Sequence, residues 1–231
     1  MEKEGIFYWQ DIIGKLTIHL NYIPVETANL FSEFARLIFM QKYTLVGGTA
    51  LALHLGHRQS EDLDFIYDGE KIPTTIIRRE ISKRFSSSRL IREEKDYQLD
   101  FLINQVKVTF FSSGAVMVPF KVKDFSKKYQ NINIAGIEII AVLKMATISQ
   151  RNTIRDYYDL YFIAKHVIPL IQIIEQSKKM LPNISAITYT ETIIYTRDIP
   201  ENSIENHLNP KEIVTKEQIS DFFIEELKKI R

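Results

Sequence analysis

Cysteine is absent from the 231 residues, so no disulfide framework, thiolate metal site or cysteine nucleophile can exist. No apolar run approaches the ~18 residues that a membrane-spanning helix needs. Met1-Glu2-Lys3-Glu4 lacks the basic and then apolar segments of a secretory signal. The expected setting is the cytoplasm, with no membrane partner. An excess of one charge is missing too. Thirty Lys and Arg stand against 29 Asp and Glu, which leaves no global field to hold nucleic acid. A polynucleotide would need a local patch. Arg78, Arg79, Lys83 and Arg84 on a predicted helix offer one, and Lys121, Lys123, Lys127 and Lys128 another; both also suit ordinary solvated faces. Apolar residues at 45% and charged residues at 26% mark a globular chain long enough to bury a real core.

Glycine is sparse, with eight in the chain, so the adjacent pair Gly47-Gly48 stands out. Tyr43-Thr44-Leu45-Val46 reads as a short buried strand, and Thr49 to Leu55 as a helix. A strand-to-helix turn without side chains lets backbone N–H groups approach phosphate. The helix N-terminus adds partial positive charge, and the Thr49 hydroxyl can donate as well. Farther on, Leu63 and Phe65 alternate with Asp62 and Asp64, the period-2 pattern of a half-buried strand. The two carboxylates then share a face, roughly 7 Å apart along the strand. Oxygen ligands at that spacing can converge on Mg²⁺ (or Mn²⁺), which keeps other positions for waters and substrate phosphates. Alone, a Gly-Gly pair is a turn and D-x-D a solvated strand face. Together they suit metal-dependent transfer from a nucleoside triphosphate.

The remaining pattern organises the chain. Glu26 to Gln41 is expected as an amphipathic helix. A helix from Pro73 to about Phe85 follows, then strands near 89–94, 97–103 and 106–111, the last two joined by a tight hairpin at Asn104-Gln105. Helices are expected over 138–150, 154–166, 170–180 and 216–230. The fold class is α+β: residues 1–135 form an α/β core and residues 136–231 a helical half completing the cleft.

Gly47-Gly48-Thr49-Ala50-Leu51-Ala52 and Gly56-His57-Arg58-Gln59-Ser60-Glu61-Asp62-Leu63-Asp64-Phe65 resemble the nucleotidyltransferase AbiEii/AbiGii toxin family, of the DNA polymerase beta-like superfamily. Leu143 to Ala146, Arg151, Arg155-Asp156 and Asp159 to Phe162 resemble its C-terminal motif, and Val106 to Phe111 one of its strands. The similarity spans roughly residues 40–165. It implies a polymerase beta-like core: a small mixed sheet flanked by helices. It also implies transfer of a nucleotide to a hydroxyl of RNA, tRNA or a protein, and a toxin held in check by a separate antitoxin. Lys144 would then neutralise phosphate charge, and Asp156 or Asp159 would orient or activate the acceptor. Without the resemblance, Lys144 could snorkel, and Asp156 could simply favour a helix N-terminus with Thr153 as its cap. Arg58 could fork onto phosphate and Ser60 fix the loop or touch a phosphate, in a segment too polar for the core. His57 has no second histidine at metal spacing, so zinc is not expected.

One departure stands out. Many relatives carry a third carboxylate on a neighbouring strand, where this chain has Thr109, sharing a side with Lys107. The general base is therefore open among Asp100, Asp156, Asp159 or none. A catalytically silent nucleotide-binding module, γ-phosphate transfer and a metal-dependent nuclease are the rival readings.

Overall fold

The computed structural model describes residues 18–185, 187–199 and 209–229. Its frame is a seven-stranded mixed sheet in the order β3-β4-β5-β2-β1-β7-β6. The strands are β1 Tyr43–Val46, β2 Leu63–Tyr67, β3 Arg89–Glu94, β4 Gln98–Ile103, β5 Val106–Ser112, β6 Ser126–Tyr129 and β7 Ile132–Ala135. Among the described residues, seven α-helices surround it: α1 Val25–Ala35, α2 Gly47–Leu55, α3 Thr74–Arg84, α4 Ile137–Ile148, α5 Ile154–His166, α6 Leu170–Met180 and α7 Lys216–Lys228. The α+β class expected from the pattern is the architecture observed.

Alternation along the strands separates the two faces. Leu63 and Phe65 of β2 and Val108 and Phe110 of β5 are fully buried on one face. There Phe34 of α1 meets Phe65, Phe110 and the Phe85 ring that follows α3, with centroids 5.5, 6.2 and 5.1 Å away. Each such side chain contributes about 1.5–3 kcal/mol by leaving water. The opposite face carries Asp64 and Thr109 and looks across a cleft to α4, which packs beside α2, α5 and α6.

The expected helix over 26–41 stops early. α1 ends at Ala35, whose carbonyl accepts from both the backbone N–H and the Nδ2 of Asn131. Leu37 is extended, and a 3₁₀ turn over Ile38–Lys42 leads into β1. The apolar spacing continues past Ala35, but the chain must turn to enter the sheet. The β6–β7 hairpin was not foreseen, because its lysines read as a charge cluster. Its turn at Gln130, with φ of 51°, parallels the one at Asn104 and Gln105, with φ of 49° and 66°. Two-residue hairpin loops take positive φ at both central residues, as at Asn104-Gln105, or at the first alone, as at Gln130.

The break between α4 and α5 falls at 149–153. Thr153 is the N-cap of α5 but makes no side-chain bond to the backbone. Its hydroxyl donates to Asp156 Oδ2 at 2.5 Å instead, so the expected cap binds a side chain rather than the helix backbone. The final helix carries a capping box between Thr215 and Gln218.

Candidate active site

A cleft of ≈ 350 Å³ opens between the carboxylate-bearing face of the sheet and α4. Gly47, Asp64, Lys107, Thr109 and Lys144 line it, and Ile140 and Leu143 supply an apolar wall. The floor is set by strand register. Asp64 pairs with Val46 on one side and Thr109 on the other, and Thr109 pairs in turn with Asp100. Asp64, Thr109 and Asp100 therefore stand in one row on one face. Continuing the β2–β5 register by one residue sets Asp62 opposite Lys107.

Neither Asp62 nor Asp64 has an ion pair within 4 Å among the described residues. Burial, and then the neighbouring charge of Asp62, push the Asp64 carboxyl above its usual range. Lys107 and Lys144 oppose that rise without cancelling it. The Thr109 hydroxyl lies near enough to favour the Asp64 carboxylate, yet is buried without a hydrogen bond of good geometry. Gly47 has φ of +72°, and a Cβ there would lie 3.1 Å from Asp64 Oδ2. The glycine provides both the left-handed backbone and the room around the carboxylate. Two unneutralised carboxylates, an orphaned hydroxyl and this clearance fit a divalent cation with oxygen ligands.

The other charged groups satisfy one another. Lys144 is 6% exposed, and its Nζ lies 2.7 Å from Asp156 Oδ1 and 2.5 Å from Asp159 Oδ2. Arg58 grips Asp159 through Nε at 2.5 Å and a terminal nitrogen at 2.8 Å. His57 Nε2 reaches the same carboxylate at 2.7 Å, and Arg151 Nε reaches Asp156 at 2.9 Å. Burial alone would raise both aspartates. The charges of Arg58 and Lys144 outweigh it at Asp159, holding that carboxyl well below its usual range. At Asp156, Lys144 and Arg151 likewise outweigh burial and lower the carboxyl. Burial dominates at His57 and lowers its pKa.

The segment before the carboxylates is core, against its polar composition. His57, Arg58 and Ser60 are 0%, 3% and 8% exposed, because Asp159 supplies the counter-charge that burial demands. Thr49 shares a hydrogen bond with Ser60 Oγ at 2.9 Å and donates to the Asp62 carbonyl. Thr49, Arg58 and Ser60 thus lie beneath the cleft rather than lining it. A Cβ on Gly48 would sit 2.5 Å from the Arg58 guanidinium and 3.0 Å from Ser60 Oγ. Gly48 is small on the side facing away from any ligand.

Sequence reasoning left the facing of Asp100 open, and it missed Arg92, Gln98 and Gln150 on the cleft lining. The signal was available. A two-residue turn at Asn104-Gln105 pairs Ile103 with Val106, and counting back sets Asp100 against Thr109 and Gln98 against Phe111. Asp100 accepts from Gln98 Nε2 at 2.8 Å and faces Lys107 Nζ at 3.6 Å.

This sheet and cleft define the class: a nucleotidyltransferase fold. The solved structure of the nucleotidyltransferase toxin MenT4 from Mycobacterium tuberculosis shares it, at a TM-score of 0.56 and 13% identity over 89% of this chain and 86% of its own. JHP933 from Helicobacter pylori does so at a TM-score of 0.50 and 19% identity, over 89% and 92%. An uncharacterised protein of Aquifex aeolicus is 33% identical over 207 residues, 88% of this chain and 95% of that protein. Residues 29–223 match the family described as nucleotidyl transferase AbiEii toxin, type IV TA system. The chain belongs to that family and is a nucleotidyltransferase.

Proposed function

We propose that this enzyme moves a nucleoside monophosphate from a nucleoside triphosphate to an acceptor hydroxyl on RNA, tRNA or a protein, as a toxin restrained by a cognate antitoxin. The observation that carries the reading is the carboxylate pair Asp62 and Asp64, without an ion pair among the described residues, beside the Gly47-Gly48 turn; Asp64 lines a cleft with Lys107 on the same floor and Lys144 on the facing wall.

In this mechanism, Asp62 and Asp64 would hold Mg²⁺ or Mn²⁺, which would supply positive charge to the phosphates. The N-terminal N–H groups of α2 receive phosphate oxygens. The acceptor oxygen bonds to the α-phosphorus as its bond to the bridging oxygen breaks, and pyrophosphate leaves with that electron pair. Lys144 faces the phosphates while Asp156 and Asp159 hold it in place. Those two aspartates are already bound to cations, which makes them positioning groups rather than proton acceptors. The acceptor proton passes to water or to a phosphate oxygen. Residues 1–135 supply the carboxylates and residues 136–231 supply Lys144, so neither half works alone. Among the described residues no helix is long and apolar enough to cross a membrane.

The test incubates the protein with Mg²⁺, total RNA and each α-³²P nucleoside triphosphate, with Asp64→Ala alongside. Label in RNA, or on protein, with the native chain alone is the expected result and identifies the acceptor class. Asp62→Ala and Asp64→Ala should each lower turnover at least about 10³-fold while leaving the circular dichroism spectrum unchanged. Native activity in both variants would end the assignment. Bound nucleotide without turnover would favour the silent module, label from the γ-position a phosphoryl transfer, and RNA shortening a nuclease.

A further inference from the structure

We propose that Lys107, together with Thr109, takes the place of a second divalent cation, so that the site works with a single one. This rests on the nucleotidyl-transfer reading above and specifies how many ions that reaction uses.

The argument begins with the supply of ligands. Beyond Asp62 and Asp64, three carboxylates approach the cleft, and each is already committed. Asp100 faces Lys107, Asp156 is held by Lys144 and Arg151, and Asp159 by Arg58 and Lys144. Among the described residues, no three His, Cys, Asp or Glu converge to hold a metal. Two ions need shared oxygen ligands between them and more negative charge than two carboxylates provide.

Strand register then shows what stands where further negative charge would sit. On β5 the residue opposite Asp64 is Thr109, which brings a neutral hydroxyl. Two residues earlier on the same face is Lys107, opposite the position of Asp62. Its side chain is 42% exposed and lines the cleft, while its counter-ion Asp100 is 3% exposed. The carboxylate is fixed in the sheet and the ammonium is left facing the cleft. Charge thus alternates across the floor from Asp100 to Lys107 to Asp62. A lysine ammonium is a compact point charge suited to phosphate oxygens, and it needs no ligands from the protein.

The experiment counts Mn²⁺ by electron paramagnetic resonance on the folded chain with a non-hydrolysable α,β-methylene nucleoside triphosphate. One magnetically isolated ion per native chain is expected, its affinity weakened in Asp64→Ala. The Lys107→Gln/Thr109→Asp double variant should gain a second ion coupled to the first. Lys107→Gln alone should lower kcat by about 10²-fold, the scale of one lost charge-stabilising group, with Lys107→Arg retaining most of it. Two coupled ions in the native chain would overturn the inference while leaving nucleotidyl transfer intact, and this count stands even if the double variant fails to fold. A folded double variant that still holds one ion would also overturn it. An ion indifferent to Asp64→Ala would remove the carboxylate-bound metal itself, and the inference with it.

Discussion

In the proposed site, Asp64 would join stability to catalysis in a single residue. Its carboxyl titrates above the usual range because it is buried and because Asp62 repels a second negative charge. The folded chain therefore holds that proton more tightly than the unfolded chain. The resulting stabilisation is full below the ordinary carboxylate range and is lost as pH rises through the raised value. A divalent cation held by this carboxylate, as proposed, would compete with the same proton, so Mn²⁺ should bind more tightly as pH climbs through that region. Asp62→Asn removes the repulsion and should move this pH dependence downward. Mn²⁺ titrations at a series of pH values test both statements, and pH-independent affinity in the native chain would refute the coupling. In metal-free buffer, Asp64→Asn should raise the melting temperature at neutral pH while abolishing transfer.

At the scale of elements, the turn from β1 into α2 and the start of α5 form one device. Asp159 lies on α5, yet it holds Arg58, and Arg58 in turn lies against the backbone of Gly48. Asp159→Ala would leave Arg58 and Lys144 without the carboxylate they share in the interior. Breaking such a buried pair costs about 3–5 kcal/mol, which urea denaturation would read directly; a change below about 1 kcal/mol would show the network to be dispensable. Gly48→Ala drives a methyl into the guanidinium, and the weakened turn should raise KM for the nucleotide more than it lowers kcat. The sequence revealed much of this scaffold. Period-2 alternation gave β2 and β5, the Asn104-Gln105 turn gave a hairpin, and Gly47-Gly48 marked the strand-to-helix corner. What it concealed was partnership across a hundred residues. His57-Arg58 reads as a polar loop because its counter-charge, Asp159, is remote in the chain. The β6–β7 hairpin was hidden because Lys127 and Lys128 obscure a strand whose apolar content lies in Ile132 and Ile134.

The whole molecule extends the same network to a region that carries no motif. Residues 209–215 run across α5 before α7 begins. Lys211 donates its backbone N–H to the His57 carbonyl at 2.8 Å, and the Tyr158 hydroxyl donates to the same oxygen at 3.3 Å. Glu212 meets Lys165 at 2.8 Å and His166 at 2.5 Å and accepts from the Tyr161 hydroxyl at 3.0 Å. Burial would raise the Glu212 carboxyl, but these hydrogen bonds outweigh it and lower its pKa. Its contribution to stability is therefore present above the ordinary carboxylate range and lost as pH falls through the lowered value. These groups are largely solvated, so Glu212→Gln should cost no more than about 1 kcal/mol and leave kcat unchanged. The strap as a whole is a different matter. It carries the fully buried Ile219 and Phe223 of α7 and, through Lys211, backs the segment that presents Arg58 to Asp159. Deleting residues 209–231 forfeits roughly 3–6 kcal/mol of apolar burial and the anchor on His57 together. Melting temperature and nucleotide affinity should fall in parallel, as read by thermal unfolding with and without a non-hydrolysable nucleoside triphosphate. A truncated chain that melts and binds nucleotide like the native one would show that the cleft is complete without α7.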